Sequence, residues 1–301
     1  MKYFTTASRV DVNDLFPSLT IPIVYPSGET HNSLFKYLKN FNLEDANHAE
    51  MVNYLKEDFK RFVYTLNLVP IGDGDLLEIG SNPYFTSLLL RKYTNYTLYH
   101  TNYFGVGNSK KVQTLHNVNN KEAVIFEYEN HNIEASKVPF DKLFDVVLFC
   151  EVLEHLIDDP MQAMLNLKNA LKPGGILILT TPNVNRIENI SKMIAGVNIY
   201  DPYSGYGQYG RHNREYNKHE LFLFLSHMGF DIEIMFSSDV HPNTCDAYYK
   251  TENIVNQINS IKDRNLDLGQ YLFVKAKNVR SALEDRPEWL FRSYNNESGD
   301  V

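Results

Sequence analysis

The spacing of apolar residues changes along the chain, and each change marks an element. Over residues 47–66, Met51, Val52, Leu55, Phe59, Phe62, Val63 and Leu66 recur at helical spacing and predict an amphipathic helix. Short apolar runs follow. Residues 75–80, 96–101, 123–128, 144–149, 176–181, 230–236 and 270–276 each read as a strand, several of them apolar enough to be buried on both faces. Helices are predicted between them: residues 86–93, then 160–171 behind the caps Asp158 and Asp159 with Pro160 in the first turn, then a helix capped by Asn217 with Glu220 three residues on. Lys172-Pro173-Gly174-Gly175 is expected to stop the second of these, and Gly229 the third.

Strands alternating with helices predict an α/β fold: a Rossmann-like, seven-stranded, mostly parallel sheet with helices on both faces. The expected organisation is an N-terminal extension with one amphipathic helix (1–69), a main domain (70–278) and a C-terminal tail (279–301) anchored by Trp289-Leu290-Phe291. Residues 1–45, broken by Pro17, Pro22 and Pro26, are expected to be irregular.

Composition narrows the class. The 301 residues are 43% hydrophobic and 22% charged, ordinary for a globular enzyme and wrong for a disordered chain. No stretch approaches the ~18 apolar residues of a membrane span. The first residues lack a secretory-type apolar core, and two cysteines make no disulfide framework, so a reducing cytoplasm is expected. The net charge of −8 argues against a broad nucleic-acid surface, which needs a basic face.

A sheet of this type binds its ligand beyond the carboxyl ends of the strands. The first such end reads Glu78-Ile79-Gly80-Ser81-Asn82-Pro83-Tyr84: a strand, an acid and a tight turn into a helix, which suits a nucleotide-like cofactor. Later come Phe144-Asp145-Val146-Val147, Glu151-Val152-Leu153-Glu154-His155, Leu171-Lys172-Pro173-Gly174-Gly175, Thr181-Pro182-Asn183 and Arg211-His212-Asn213-Arg214-Glu215-Tyr216. In order and spacing these motifs resemble the class I S-adenosylmethionine (SAM)-dependent methyltransferases, over about residues 74–236. The resemblance implies SAM as cofactor, contacted by Glu78, Gly80, Asn82, Asn102, Asn132, Ile133 and Cys150. The sequence departs from the family where Asn82 and Tyr84 replace glycines, and where Asn102 and Asn132 replace the acids expected at the ribose and the adenine.

Glu151-x-x-Glu154-His155 is expected to open a helix after the fourth strand. Positions i, i+3 and i+4 of a helix share a face, so two carboxylates and an imidazole form a candidate divalent-ion site for Mg or Mn. The motif resembles that of ubiquinone-pathway and small-RNA ribose O-methyltransferases. That resemblance adds His212, so the expected metal set is Glu151, Glu154, His155 and His212. His212, His155 and Glu151 are the candidate catalytic groups. Packing and helix capping are the plainer alternative for Glu154 and His155.

Residues 183–216 hold Tyr200, Tyr203, Tyr206, Tyr209 and Tyr216 and are expected to cover the acceptor. Tyrosine gives a flat face with a polar tip, which suits sugars as well as aromatic rings. The expected reaction is O-methylation of a small molecule, with a sugar derivative favoured. A quinone or phenol, an RNA ribose, or a binding protein without catalysis are the alternatives. Arg211 and Arg214 are expected to hold a substrate phosphate or carboxylate, or to pair with Glu215 or other acids nearby.

Overall fold

A computed structural model of the chain describes residues 12–17, 21–107, 111–258 and 267–292. The N-terminal part contains helix α1 (His31–Lys39), strand β1 (Phe41–Leu43) and helix α2 (His48–Leu68). The expected irregular stretch therefore holds a helix, started by a Thr30 capping box with Ser33.

Seven strands form the main sheet in the order β6 (Glu129–Asn130), β3 (Asn95–Asn102), β2 (Asp73–Ile79), β7 (Phe144–Cys150), β8 (Leu171–Pro182), β10 (Tyr271–Asn278) and β9 (Phe230–Ser238). The first five run parallel to one another, and β10 runs antiparallel to both its neighbours. The mostly parallel Rossmann-like sheet is thus as expected. Helix α3 (Phe85–Tyr93) and α2 lie over one side. Helices α4 (Pro160–Ala170) and α5 (Lys218–His227) pack in the core of the other. Trp289, Leu290 and Phe291 rest against that second core. Among the described residues no helix is long and apolar enough to cross a membrane.

Three local expectations are corrected. Strand β5 (Ala123–Glu127) is not the third parallel strand: it pairs with β4 (Val112–Asn117), which pairs with β1, in a separate antiparallel sheet. Its side chains alternate, with Val124 and Phe126 buried and Ala123, Ile125 and Glu127 exposed, as a one-sided strand requires. The parallel position is filled by the two residues of β6. Helix α4 stops at Ala170, just before Lys172–Gly175, as expected, but the strand that follows begins earlier than residue 176. Strand β8 starts at Leu171 and absorbs Lys172–Gly175 in a register shift opposite Phe144–Val146. Finally, Glu151–His155 is no helix. Leu153–His155 is a single 3-10 turn, Glu151 has a left-handed φ of 55°, and α4 begins only at Pro160.

Candidate active site

The turn from β2 into α3 stands at the carboxyl edge of the sheet. Gly80 has a φ of 78°, and a Cβ there would come within 2.6 Å of Val152 Cγ2, so the position needs glycine both for its backbone and for its neighbour. Glu78 points away from the edge. It accepts a hydrogen bond from Ser87 Oγ in α3, and burial pushes its carboxyl up to about 7 although that bond pulls it down.

Asn102, at the end of β3, spends its side chain on the turn. Its Oδ1 accepts from the Asn82 backbone N–H at 3.0 Å and from Ser81 Oγ at 3.3 Å, and its Nδ2 donates to Tyr84 Oη at 2.9 Å. Asn132 stands after β6. Its Oδ1 accepts from the Glu134 backbone N–H at 2.9 Å, and its Nδ2 donates to Tyr209 Oη at 2.8 Å. Tyr209 also meets Tyr103 edge-on at 5.2 Å. The Ile133 side chain is in the core, while its carbonyl accepts from Asn166. Burial drives the Cys150 thiol up to about 12, so it packs as a neutral group.

Across the edge, Glu154, His155 and His212 bring one ligand atom each within 4.8 Å of one another. Glu154 is fully buried. Its Oε2 accepts from Thr181 Oγ1 at 3.0 Å and its Oε1 has no hydrogen-bond partner. His155 Nδ1 is 3.0 Å from the Arg211 carbonyl, and His212 Nδ1 is 2.8 Å from Glu215 Oε1. Those oxygens require a proton on each Nδ1, which leaves both Nε2 lone pairs for another partner. Burial lowers the His212 pKa, but the Glu215 hydrogen bond and the charges of Glu154, Glu215 and Asp201 outweigh it and push it up to about 8. A cavity of about 510 Å³ opens beside His212, lined by Tyr200, Asp201, Arg214, Glu215 and Glu220 among others.

The expected four-residue set loses Glu151. Its Oε1 accepts from Thr180 Oγ1 at 2.8 Å, whereas Glu154 bonds to Thr181. Thr180 and Thr181 are consecutive in a strand and point to opposite faces, so the two carboxylates bond to different faces of β8, while the charge of Glu154 still raises the Glu151 pKa. Glu151 belongs instead with a cluster that periodicity alone hides. Arg61 of α2 is buried. Its Nε donates to Asp58 Oδ1 at 3.0 Å and its Nη2 to Tyr54 Oη at 2.6 Å, and the guanidinium lies 5.6 Å from the Tyr271 ring centre. Burial raises the Glu151 pKa and the charge of Arg61 draws it down. The signal was an acid and a base, Asp58 and Arg61, placed within the apolar stripe of an amphipathic helix.

Glu215 is a second residue given too small a role. It pairs with Arg186 through two contacts as well as with His212, while Arg214 pairs with Glu220 and Arg211 bonds to Asn213. The end of the cover is stitched to the 3-10 turn: the Asn213 N–H donates to the Glu154 carbonyl at 2.7 Å, and Asn213 Nδ2 to that of His155 at 3.0 Å.

Residues 77–179 match the family profile described as a methyltransferase domain. The ubiquinone biosynthesis O-methyltransferase of Rickettsia canadensis (strain McKiel) is 32% identical over 117 residues, which are 38% of this chain and 46% of that protein, so the chain spans under half of this relative's length. Among solved structures, a chain from the complex between the Haloferax volcanii Trm112 methyltransferase activator and a methyltransferase superposes with a TM-score of 0.50 at 14% identity, covering 82% of this chain and 98% of that one. The N-methyltransferase NodS of Bradyrhizobium japonicum WM9, in complex with S-adenosyl-L-homocysteine, gives a TM-score of 0.44 at 15% identity, covering 83% and 98%. The chain therefore has a Rossmann-like fold of the kind seen in methyltransferases, and its residues 77–179 are similar to a methyltransferase domain.

Proposed function

We propose that the protein is a SAM-dependent O-methyltransferase acting on a hydroxyl of a small polar acceptor. The observation that carries this reading is the cluster of Glu154, His155 and His212 at the carboxyl edge of the sheet, with Nδ1 of each imidazole already engaged. Bound SAM supplies an electrophilic methyl to the acceptor oxygen. The protein must align the two and remove the hydroxyl proton. Gly80 supplies the tight turn beside which the cofactor would lie. Arg61, buried in α2, would offer a guanidinium to the carboxylate of its amino-acid end. With no ion bound, His212, oriented by Glu215, is the residue to take the proton, and the 183–216 segment would exclude water.

The cluster also fits a divalent ion. The orphaned Oε1 of buried Glu154 and the two free Nε2 positions form a mixed oxygen and nitrogen donor set that suits Mn, with Mg or Zn as neighbours in preference. Glu154, His155 and His212 would hold such an ion, whose charge lowers the pKa of an acceptor hydroxyl.

A sugar-bearing acceptor is supported by the cover, where Tyr200, Tyr203 and Tyr206 are 80%, 93% and 93% exposed and present flat, amphipathic faces. A phenolic ring of quinone type is the second reading, favoured by the identity to the ubiquinone biosynthesis O-methyltransferase. Two free cysteines suit a reducing compartment such as the cytoplasm. The test is calorimetry with S-adenosylhomocysteine, followed by methyl transfer from labelled SAM to nucleotide sugars and to catechols. A protein that binds no S-adenosylhomocysteine is not this enzyme, and one that binds it but methylates an amine instead refutes the oxygen chemistry.

A further inference from the structure

The separate sheet β1–β4–β5 is not needed to complete the seven-stranded one, yet one of its side chains reaches the cofactor turn. Gln113 of β4 is buried, and its Oε1 accepts from Tyr84 Oη at 2.8 Å and from Asn82 Nδ2 at 3.3 Å. Tyr84 stands where a glycine would relax the turn. Its φ is 71°, a left-handed conformation that a bulky side chain adopts only under constraint. The constraint is visible: the ring stacks on Phe126 of β5 at 4.7 Å and 5°, lies edge-on to His100 at 5.6 Å, and its hydroxyl stands between Asn102 and Gln113. Asn102 adds the bonds to Ser81 and Asn82 already described. Every residue from Ser81 to Tyr84 except Pro83 is thereby tied by a side chain to β3 or β4.

We infer that Gln113, Tyr84 and Asn102 are positioning residues that fix the cofactor turn from outside, and that Asn102 braces this turn rather than gripping the cofactor ribose. This rests on the SAM reading above. Where the turn lacks its glycines, rigidity comes from a buried hydrogen-bond network anchored in the extra sheet. Asn102 is 4% exposed, and both ends of its amide are bonded within the network.

The experiment measures S-adenosylhomocysteine and its 2′-deoxy and 3′-deoxy analogues by calorimetry on the full chain. Gln113→Leu and Tyr84→Phe should each weaken all three ligands by a common factor of about tenfold, the effect of leaving a buried donor or acceptor unmade. Gln113→Glu keeps the accepting oxygen and should restore affinity. Asn102→Ala should weaken the three ligands equally, so the ratio between parent and deoxy ligand stays at its wild-type value. A ratio that collapses toward one in Asn102→Ala means that Asn102 holds the diol and overturns the inference. So does unchanged affinity in Gln113→Leu and Tyr84→Phe. Failure of the wild-type protein to bind S-adenosylhomocysteine is a different result, and it refutes the cofactor reading itself.

Discussion

Glu78 and His100 are register partners on the parallel strands β2 and β3, and burial drives both toward their neutral forms. It lifts Glu78 from about 4.5 to about 7 and lowers His100 from about 6.5 to about 4. The contribution of Glu78 is fully present below pH 4.5 and lost as pH rises through 7. That of His100 is present above pH 6.5 and lost as pH falls through 4. Between pH 4.5 and 6.5 the two slopes oppose each other. Glu78→Gln removes one of them, so the variant should lose on the order of 2 kcal/mol more than wild type on acidification across that window. Urea titrations at the two pH values check this. Parallel curves for variant and wild type would refute the opposed pair.

Gly80→Val should abolish S-adenosylhomocysteine binding while the far-ultraviolet circular dichroism stays close to wild type. The added side chain meets Val152 and strains a left-handed backbone, at a stability cost of about 1–3 kcal/mol. Retained affinity would move the cofactor away from this turn.

Removal of divalent ions by a chelator should abolish turnover and leave S-adenosylhomocysteine affinity within about twofold, since the three candidate ligands are none of the residues expected to contact the cofactor. Glu154→Gln, which keeps shape and loses charge, should match it. Glu151→Gln should leave metal content unchanged, because Glu151 bonds to Thr180 and is outside the three residues whose ligand atoms lie within 4.8 Å of one another. Full activity in chelator would leave His212 and Glu215 as a metal-free base and its orienting acid.

Arg61→Met should weaken S-adenosylhomocysteine tenfold to a hundredfold but leave 5′-methylthioadenosine, which lacks the amino-acid end, nearly unaffected; charge-assisted hydrogen bonds are of this strength. Because the change also strands Asp58, the Asp58→Asn, Arg61→Met double variant serves as the control for folding. Equal loss of both ligands would make Arg61 a structural residue.

Shortening the cover from Tyr200 to Tyr206 should raise the acceptor KM at least tenfold and spare cofactor binding, because these rings are exposed and the bond to Asn132 comes from Tyr209. Tyr209→Phe should do the reverse. If both changes hurt both ligands alike, the segment supports the fold rather than the acceptor.

The sheet was legible because its parallel strands are buried on both faces and therefore appear as apolar runs, as in Phe144–Phe149. Strand β5 was misplaced because Val124 and Phe126 look like part of such a run unless the exposure of Ile125 and Glu127 is weighed. The short β1 and β4 carry too few apolar residues to announce themselves. Glu154 and His155 were grouped by helical spacing and His212 by the family resemblance, but a 3-10 turn and the backbone bonds of Asn213 bring the three together. Glu151 was assigned to them by that same spacing, and it bonds to Thr180 instead. Tyr209 was legible only as one of a run of tyrosines, and Gln113, in a strand distant in sequence from the turn it braces, has no local pattern pointing to it.

The hydrogen bond from Asn132 to Tyr209 gives the molecule a sense of sequence in time. Tyr209 belongs to the segment proposed to cover the acceptor, and it bonds to the residue expected at the adenine. On that reading one side chain would serve both ligands, so neither pocket could be filled without a response in the other, and initial-rate patterns should show donor adding before acceptor.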